Sequence, residues 1–129
     1  MATICVINDD PSLVTLLADL LSDREEDSVV CCDSREAYQC LERGDVDLVI
    51  VDLLTKKPEG GWDILTYLQM HPRLRHLPTI VCSGVTDELL SKEEWLRQHN
   101  ISVLEKPFEL EELYRCVDTV LGRSSPASV

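Results

Sequence analysis

The sequence predicts an α/β fold, with a parallel five-stranded sheet and helices on both of its faces. Short β-rich apolar runs alternate along the chain with longer segments whose leucines recur at helical spacing. The third run, residues 46–51, is almost continuously apolar, as is typical of a central parallel strand covered on both faces. Because crossovers between parallel strands are right-handed, the helices should cover both sides of a doubly wound sheet.

Five β/α repeats account for the order of these segments. The strands are predicted at residues 3–7, 28–32, 46–51, 77–82 and 101–104. The helices are predicted at residues 11–22, 34–43, 61–70, 87–98 and 109–121. Asp10 suits the N-cap of the first helix and Pro11 its first position, while Gly44 and Gly122 suit helix ends.

Length and charge limit the class of protein. The 129 residues suit one domain, predicted at residues 2–122, with a short flexible tail at residues 123–129. A net charge of −12 disfavours direct binding to nucleic acid or to anionic membranes, since both need a cationic surface. We find no signal peptide and no apolar stretch long enough for a bilayer. We therefore expect no nucleic-acid or membrane partner, and a monomer or weak homodimer.

The cysteines suit a reduced compartment. The sequence has six of them, with no C-x-x-C pair and no spacing typical of a zinc site. Cys5 and Cys82 fall inside apolar runs and are interpreted as small buried hydrophobes. The neighbours Cys31 and Cys32 should point to opposite faces of a strand. This usage predicts a cytoplasmic protein.

Polar or ionisable side chains follow four of the five strands. They are Asn8, Asp9 and Asp10 after the first strand, Asp52 after the third, Ser83 after the fourth and Lys106 after the fifth. A carboxylate at the end of a buried strand is costly to desolvate unless a cation or hydrogen-bond donors meet it. Because functional groups gather beyond the carboxyl ends of parallel strands, we expect these side chains to form one site.

These residue types suit the handling of a phosphoryl group. Two carboxylates brought together repel each other, so a divalent cation with oxygen ligands, Mg²⁺ or alternatively Mn²⁺, is expected between them. An amine and a hydroxyl can neutralise and hydrogen-bond phosphoryl oxygens. An Asp can itself be the nucleophile and become an acyl phosphate. The sequence has no Gly-rich phosphate loop, which argues against a nucleotide ligand.

Four motifs in order carry a family resemblance. They are Asn8-Asp9-Asp10-Pro11-Ser12, the strand-end Asp52, Ser83-Gly84, and Lys106-Pro107-Phe108. Over residues 2–122 the chain resembles the receiver domain of two-component response regulators, the CheY-like family. The resemblance implies a flavodoxin-like (βα)5 fold with strand order 2-1-3-4-5. It also implies a phosphoacceptor switch rather than an enzyme with turnover.

The resemblance assigns a role to each site residue. Asp52 would accept a phosphoryl group from a histidine kinase or phosphotransfer protein, Ser83 would be the switch hydroxyl, and Lys106 would bind the phosphate. Mg²⁺ would be held by Asp9, by Asp52 and by the backbone carbonyl of Leu54, with Asn8 in the outer shell and Asp10 as a further candidate ligand.

The resemblance further implies a cis bond before Pro107 and a downstream protein target on the face of the fourth helix, fifth strand and fifth helix. Three departures bear on this interpretation. Asn8 stands where the family usually has a carboxylate, which should weaken metal binding. Val103 replaces the aromatic switch residue, and residues 55–58 replace the usual Met-Pro after the phosphoacceptor.

Two alternatives stay open. A docking module that binds partners without phosphorylation is favoured by Asn8 and Val103. A phosphohydrolase similar to haloacid dehalogenases would need a second Asp two residues after the first, where Leu54 stands. The sequence does not separate a stand-alone regulator from a receiver that is part of a longer protein.

Overall fold

The sheet has five parallel strands in the order β2-β1-β3-β4-β5. In this computed structural model the described residues are 2–8, 11–22, 27–33, 35–53, 59–84 and 86–122. The strands are β1 (Ala2–Ile7), β2 (Asp27–Cys32), β3 (Leu48–Asp52), β4 (Thr79–Ser83) and β5 (Ile101–Glu105). The fold class and the strand order expected from the sequence are confirmed.

The helices that join the strands are α1 (Pro11–Ser22), α2 (Ala37–Glu42), α3 (Glu59–Met70), α4 (Asp87–Ser91), α5 (Glu93–Gln98) and α6 (Leu110–Val120). The prediction of one helix over residues 87–98 was wrong, because two short helices meet at Lys92. Lys92 has φ of −104° and ψ of 7°, outside the range of a regular α-helix, and this backbone geometry divides the two helices. The Ser91 hydroxyl donates to the Glu88 carbonyl over 2.8 Å, beside the regular backbone bond from Lys92.

The second helix begins later than predicted, at Ala37 instead of residue 34. The carboxylate of Asp33 accepts the backbone N–H groups of Arg35 and Glu36 at 2.9 Å and 2.8 Å. The N–H groups at the start of a helix have no acceptor within it, so Asp33 acts as a cap for the turn that leads into α2, and the Asp33 carbonyl accepts the N–H of Ala37 over 3.0 Å. The helix end is as predicted, since Gly44 follows with φ of +76°.

Two apolar cores lie on opposite faces of the sheet. One contains Cys5, Val49 and Val51 with the buried side chains of α2 and α3. The other contains Ile4, Ile50, Leu113 and Val117. All five residues of β3 are buried, as predicted for a central strand. Because both faces of β3 are buried, the strand has a fixed position in the sheet, and so does its last residue, Asp52.

The expectations for the strand cysteines are confirmed. Cys5 and Cys82 are fully buried, and Cys32 is buried while its neighbour Cys31 is exposed. The two neighbours therefore point to opposite sides of the edge strand β2, as the alternation of side chains along a strand requires.

Candidate functional site

Asp52 is the last residue of β3, and its side chain is fully buried. The strand is held in place by parallel pairing with β1 on one side and β4 on the other. A carboxylate in this position is stabilised only if charged or hydrogen-bonding groups reach it. The structure supplies them from the ends of β1 and β5.

Lys106 is the first of these partners. Its Nζ forms an ion pair with Oδ1 of Asp52 and lies 3.4 Å from the carbonyl oxygen of Leu53. The backbone N–H of Lys106 donates to the carbonyl of Ser83 over 2.8 Å, which fixes the start of the loop after β5. The bond between Lys106 and Pro107 is cis, as the resemblance implied.

Asn8 is the second partner, and it is buried. Its side-chain Nδ2 donates to Oδ2 of Asp52, while its backbone N–H donates to the carbonyl of Cys32 over 3.1 Å. The sequence predicted an outer-shell metal role for Asn8 but not this direct contact. The signal was present in the register, since the residue after β1 must face the end of the neighbouring strand β3.

Ser83 ends β4 and is also buried. Its hydroxyl donates to the carbonyl of Gly84 over 2.7 Å. The neighbouring Cys82 lies opposite Asp52 in the strand register, and the carbonyl of Cys82 accepts the N–H of Leu53 over 2.8 Å. Burial raises the pKa of the Cys82 thiol, and the charge of Asp52 raises it further. Cys82 is therefore a neutral neighbour of the carboxylate, a position that the sequence did not reveal.

A cavity of about 450 Å³ opens beside Asp52. Its described lining residues are Leu16, Leu20, Asp52, Cys82, Lys106, Pro107, Phe108 and Leu110. Among these described lining residues, Asp52 and Lys106 carry the charge and the others are apolar or weakly polar.

The remaining predicted site residues lie outside the described part of the chain. These are Asp9, Asp10 and Leu54. Residues 55–58, which replace the Met-Pro that is usual in the family, also lie outside it. The structure therefore brings together Asp52, Lys106 and Asn8 by direct contact and places Ser83 on the neighbouring strand. The predicted ligand set for Mg²⁺ stays a prediction.

A shallow groove separates the α4–α5 pair from β5, and its volume is about 240 Å³. Its described lining residues are Leu89, Leu90, Glu93, Leu96, Arg97, Ile101, Val103 and Glu105. Leu90 is 56% exposed and Val103 is 38% exposed, so two apolar side chains face solvent on this side of the molecule. We refer to this groove as the α4–β5 face. It is one part of the partner face expected from the sequence, which also includes the predicted fifth helix, α6 in this structure.

The fold, with a buried carboxylate and its lysine partner at the strand ends, is that of a receiver domain, and a family comparison agrees. Residues 4–118 match the model of the response regulator receiver domain. This match covers most of the chain, so the chain belongs to that family. It is a receiver domain of two-component systems, and membership of this family leaves the haloacid-dehalogenase alternative without support.

Curated relatives are similar over nearly the whole chain. Transcriptional regulatory protein GlrR of Escherichia coli K12 is 26% identical over 127 residues, which cover 98% of this chain and 28% of that protein. Heme response regulator HssR of Staphylococcus saprophyticus is 26% identical over 123 residues, covering 95% of this chain and 53% of that protein. The chain thus spans between about a quarter and a half of these relatives' length.

Solved structures share the fold. A response regulator receiver domain protein of Clostridium thermocellum superposes with a TM-score of 0.80 at 21% identity, covering 95% of both chains. Chemotaxis protein CheY4 of Vibrio cholerae gives a TM-score of 0.78 at 21% identity, covering 93% of this chain and 98% of that one. No helix in the described part of the chain combines the length and apolar character needed to cross a bilayer.

Proposed function

We propose that this receiver domain is phosphorylated on Asp52 by a histidine kinase or a phosphotransfer protein and that phosphorylation switches a partner-binding face. The observation that carries the proposal is the buried carboxylate of Asp52, held between Lys106 and Asn8 at the end of β3. A fully buried strand-end carboxylate with two donors serves no packing need, whereas it suits a nucleophile that must stay charged.

The transfer follows from the chemistry of these groups. A carboxylate oxygen of Asp52 attacks the phosphorus of a phosphohistidine, the phosphorus–nitrogen bond breaks, and the imidazole leaves with its electron pair. The ammonium group of Lys106 lies beside the attacking carboxylate and can neutralise the charge that gathers on the phosphoryl oxygens. The product is an acyl phosphate at the end of β3.

The donor chemistry of the site fits Mg²⁺. Carboxylate and amide oxygens at the ends of parallel strands are ligands that hard cations prefer. We propose Asp9, Asp52 and the Leu54 carbonyl as the ligands, with Asn8 and Asp10 as further candidates and Mn²⁺ as an alternative ion. Bound there, the cation would supply positive charge to the phosphoryl oxygens.

The switch would begin at Ser83. In this structure its hydroxyl donates to the Gly84 carbonyl, and a phosphoryl group on Asp52 would offer it a stronger, charged acceptor. Three residues further, Thr86 caps α4 by accepting the N–H of Leu89 over 3.0 Å. Because Ser83 and Thr86 are only three residues apart, a shift of Ser83 would reach α4 and change the α4–β5 face, where Leu90 and Val103 are exposed.

The proposal is tested by intact-mass spectrometry after incubation with acetyl phosphate and Mg²⁺. We expect one added phosphoryl group, an increase of about 80 Da, in the wild type and none in Asp52→Asn. Lys106→Met serves as a second variant that keeps the acceptor and should form the adduct much more slowly. No adduct, or an adduct that survives Asp52→Asn, contradicts the proposal.

A docking module without phosphorylation is the second candidate. It is favoured by Asn8, which already satisfies one oxygen of Asp52, and by Val103 in place of an aromatic switch residue. If this candidate is correct, neither Asp52→Asn nor the phosphoryl mimic beryllofluoride changes the affinity of the chain for its partner. In both cases the chain acts as a switch or a scaffold and not as an enzyme with turnover, and its free cysteines suit the cytoplasm.

A further inference from the structure

Three cysteines lie together in the core, and none of them is among the described residues that line the cavity beside Asp52. They are Cys5 of β1, Cys32 of β2 and Cys40 of α2, and all three are buried. Their sulfur atoms lie within 4.8 Å of one another, and the sulfurs of Cys5 and Cys40 are 3.9 Å apart. Three separate elements therefore each supply one sulfur to the same point, although the cysteines are scattered along the sequence.

The spacing of the sulfurs matches a trigonal ion site. Three sulfurs bonded to one ion at about 2.3 Å, the length of a zinc–sulfur bond, lie roughly 4 Å apart around a planar ion and roughly 3.5 Å apart around a pyramidal ion with a lone pair. The pair at 3.9 Å and the widest separation of at most 4.8 Å exceed the pyramidal value by less than the length of one such bond, so small shifts of the side chains would close the site. The described residues add no fourth ligand to the cluster, which disfavours the tetrahedral coordination of a structural zinc site.

The net charge of the three thiolates and the ion indicates which kind of ion suits the site. The cluster lies in the apolar core that also contains Ile7, Leu41 and Val49. Net charge in such a core is costly. Three thiolates around a monovalent ion would bury two negative charges and around a divalent ion one, whereas a trivalent ion leaves the site neutral.

We propose that Cys5, Cys32 and Cys40 form a binding site for a trivalent thiophilic ion, of which arsenite is the representative. Arsenous acid binds by condensation: three arsenic–sulfur bonds form, three arsenic–oxygen bonds break, and each thiol proton leaves with a hydroxyl as water. Arsenic stays trivalent and no oxidant is needed. The neutral product suits the apolar core, and the slight exposure of Cys32 (7%) and Cys40 (6%) at the β2 edge gives an entry path.

The test uses the full chain with reduced thiols, incubated with arsenite and measured by native mass spectrometry. We expect one adduct per chain, equal to the mass of arsenic less three hydrogens. Cys40→Ser should lower the affinity by about tenfold or more, since loss of even outer-shell groups costs tenfold to a hundredfold. Cys31→Ser and Cys116→Ser are the matched controls, because both thiols lie outside the cluster, and they should bind like the wild type.

X-ray absorption at the arsenic edge of the wild type gives a measurement that needs no variant. Three sulfur neighbours and no oxygen are expected. The proposal is overturned by the absence of an adduct, by two sulfurs and one oxygen, by binding that Cys40→Ser leaves unchanged, or by uptake of Zn²⁺ or Cu⁺ in preference to arsenite. Failure of this site would leave the proposed phosphorylation of Asp52 untouched, because the two sites share no ligand.

Discussion

The ammonium group of Lys106 and the carboxylate of Asp52 form an ion pair that joins the ends of β5 and β3 across the intervening strand β4. The two members differ in their surroundings, since the side chain of Asp52 is fully buried and that of Lys106 is 27% exposed. If the pair is broken, the ammonium group of Lys106 can therefore be hydrated directly, whereas water reaches the carboxylate of Asp52 less easily.

Because Lys106 and Asp52 differ in burial, substitutions of the two residues should lower the free energy of unfolding by different amounts. Lys106→Met removes the ammonium group from the buried carboxylate of Asp52, and we expect it to lower the free energy of unfolding by about 1–3 kcal/mol, the cost of a buried group that loses a charged partner. Asp52→Asn should cost less, because the freed ammonium group can be hydrated. Urea denaturation of both variants measures the difference.

The double variant Asp52→Asn/Lys106→Met is the control for this prediction. A thermodynamic cycle should give a coupling energy of about 1 kcal/mol or more, as for residues in direct contact. Additive losses, or a larger loss for Asp52→Asn than for Lys106→Met, would contradict the burial argument.

Asn8→Asp should strengthen metal binding and weaken the metal-free fold. The substitution replaces the donor to Oδ2 of Asp52 by a second carboxylate, which repels the first and adds a ligand for a cation. We expect Mg²⁺ to bind about tenfold more tightly, which corresponds to 1.4 kcal/mol. Calorimetric titration with Mg²⁺ checks this, with Asn8→Ala as the control that removes the donor without adding charge. Equal affinity in the wild type and Asn8→Asp would show that this position does not contribute to cation binding.

The raised pKa of Cys82 predicts that the folded protein loses stability at alkaline pH. Its pKa is raised by burial above the ordinary value of 9.0, so the unfolded chain loses the thiol proton at a pH where the folded chain keeps it. The contribution to stability is complete below pH 9.0 and is lost as the pH rises towards the folded value. Across this window, Cys82→Ala should flatten the pH dependence of unfolding by about 1.4 kcal/mol per pH unit. The exposed Cys31 offers the matched variant, Cys31→Ala, which should flatten it less; equal effects would contradict the assignment to burial.

Gly61 lies where α3 approaches the strand end that carries Asp52. A Cβ at this position would overlap Cδ2 of Leu53 and lie 3.3 Å from Cγ1 of Val51. We expect Gly61→Ala to destabilise the fold by about 1 kcal/mol, because overpacking outweighs the better helix propensity of alanine. Gly84→Ala is the control, since its Cβ would meet nothing within 4 Å. Thermal unfolding compares the two, and a stabilised Gly61→Ala would show that Leu53 moves aside freely.

The sequence predicted the sheet well because β3 and β4 are buried on both faces and therefore consist mostly of consecutive apolar residues, which are easily recognised in a sequence. It did not predict the helix break because the break lies in the backbone angles of one residue, Lys92, which no apolar periodicity records. The turn that Asp33 caps before α2 is likewise a local feature without an apolar pattern.

The sequence predicted which residues form the site, but it did not predict the contacts between them. Strand-end position identified Asp52, Lys106 and Ser83, because parallel strands bring their carboxyl ends to one edge. The direct bond from Asn8 to Asp52 and the place of Cys82 beside the carboxylate depend on strand register, which a single sequence does not specify. The cluster of Cys5, Cys32 and Cys40 was missed for the same reason, since its members share no sequence spacing.

The central claim is that Asp52 is the residue that accepts phosphorus, and borohydride trapping tests it most directly. Borohydride reduces an acyl phosphate to an alcohol, so a phosphorylated aspartate is converted to homoserine and can be located by peptide sequencing. After treatment with acetyl phosphate and Mg²⁺, we expect homoserine at position 52 alone. Homoserine at position 9 or 10, or none at any aspartate, would contradict the account.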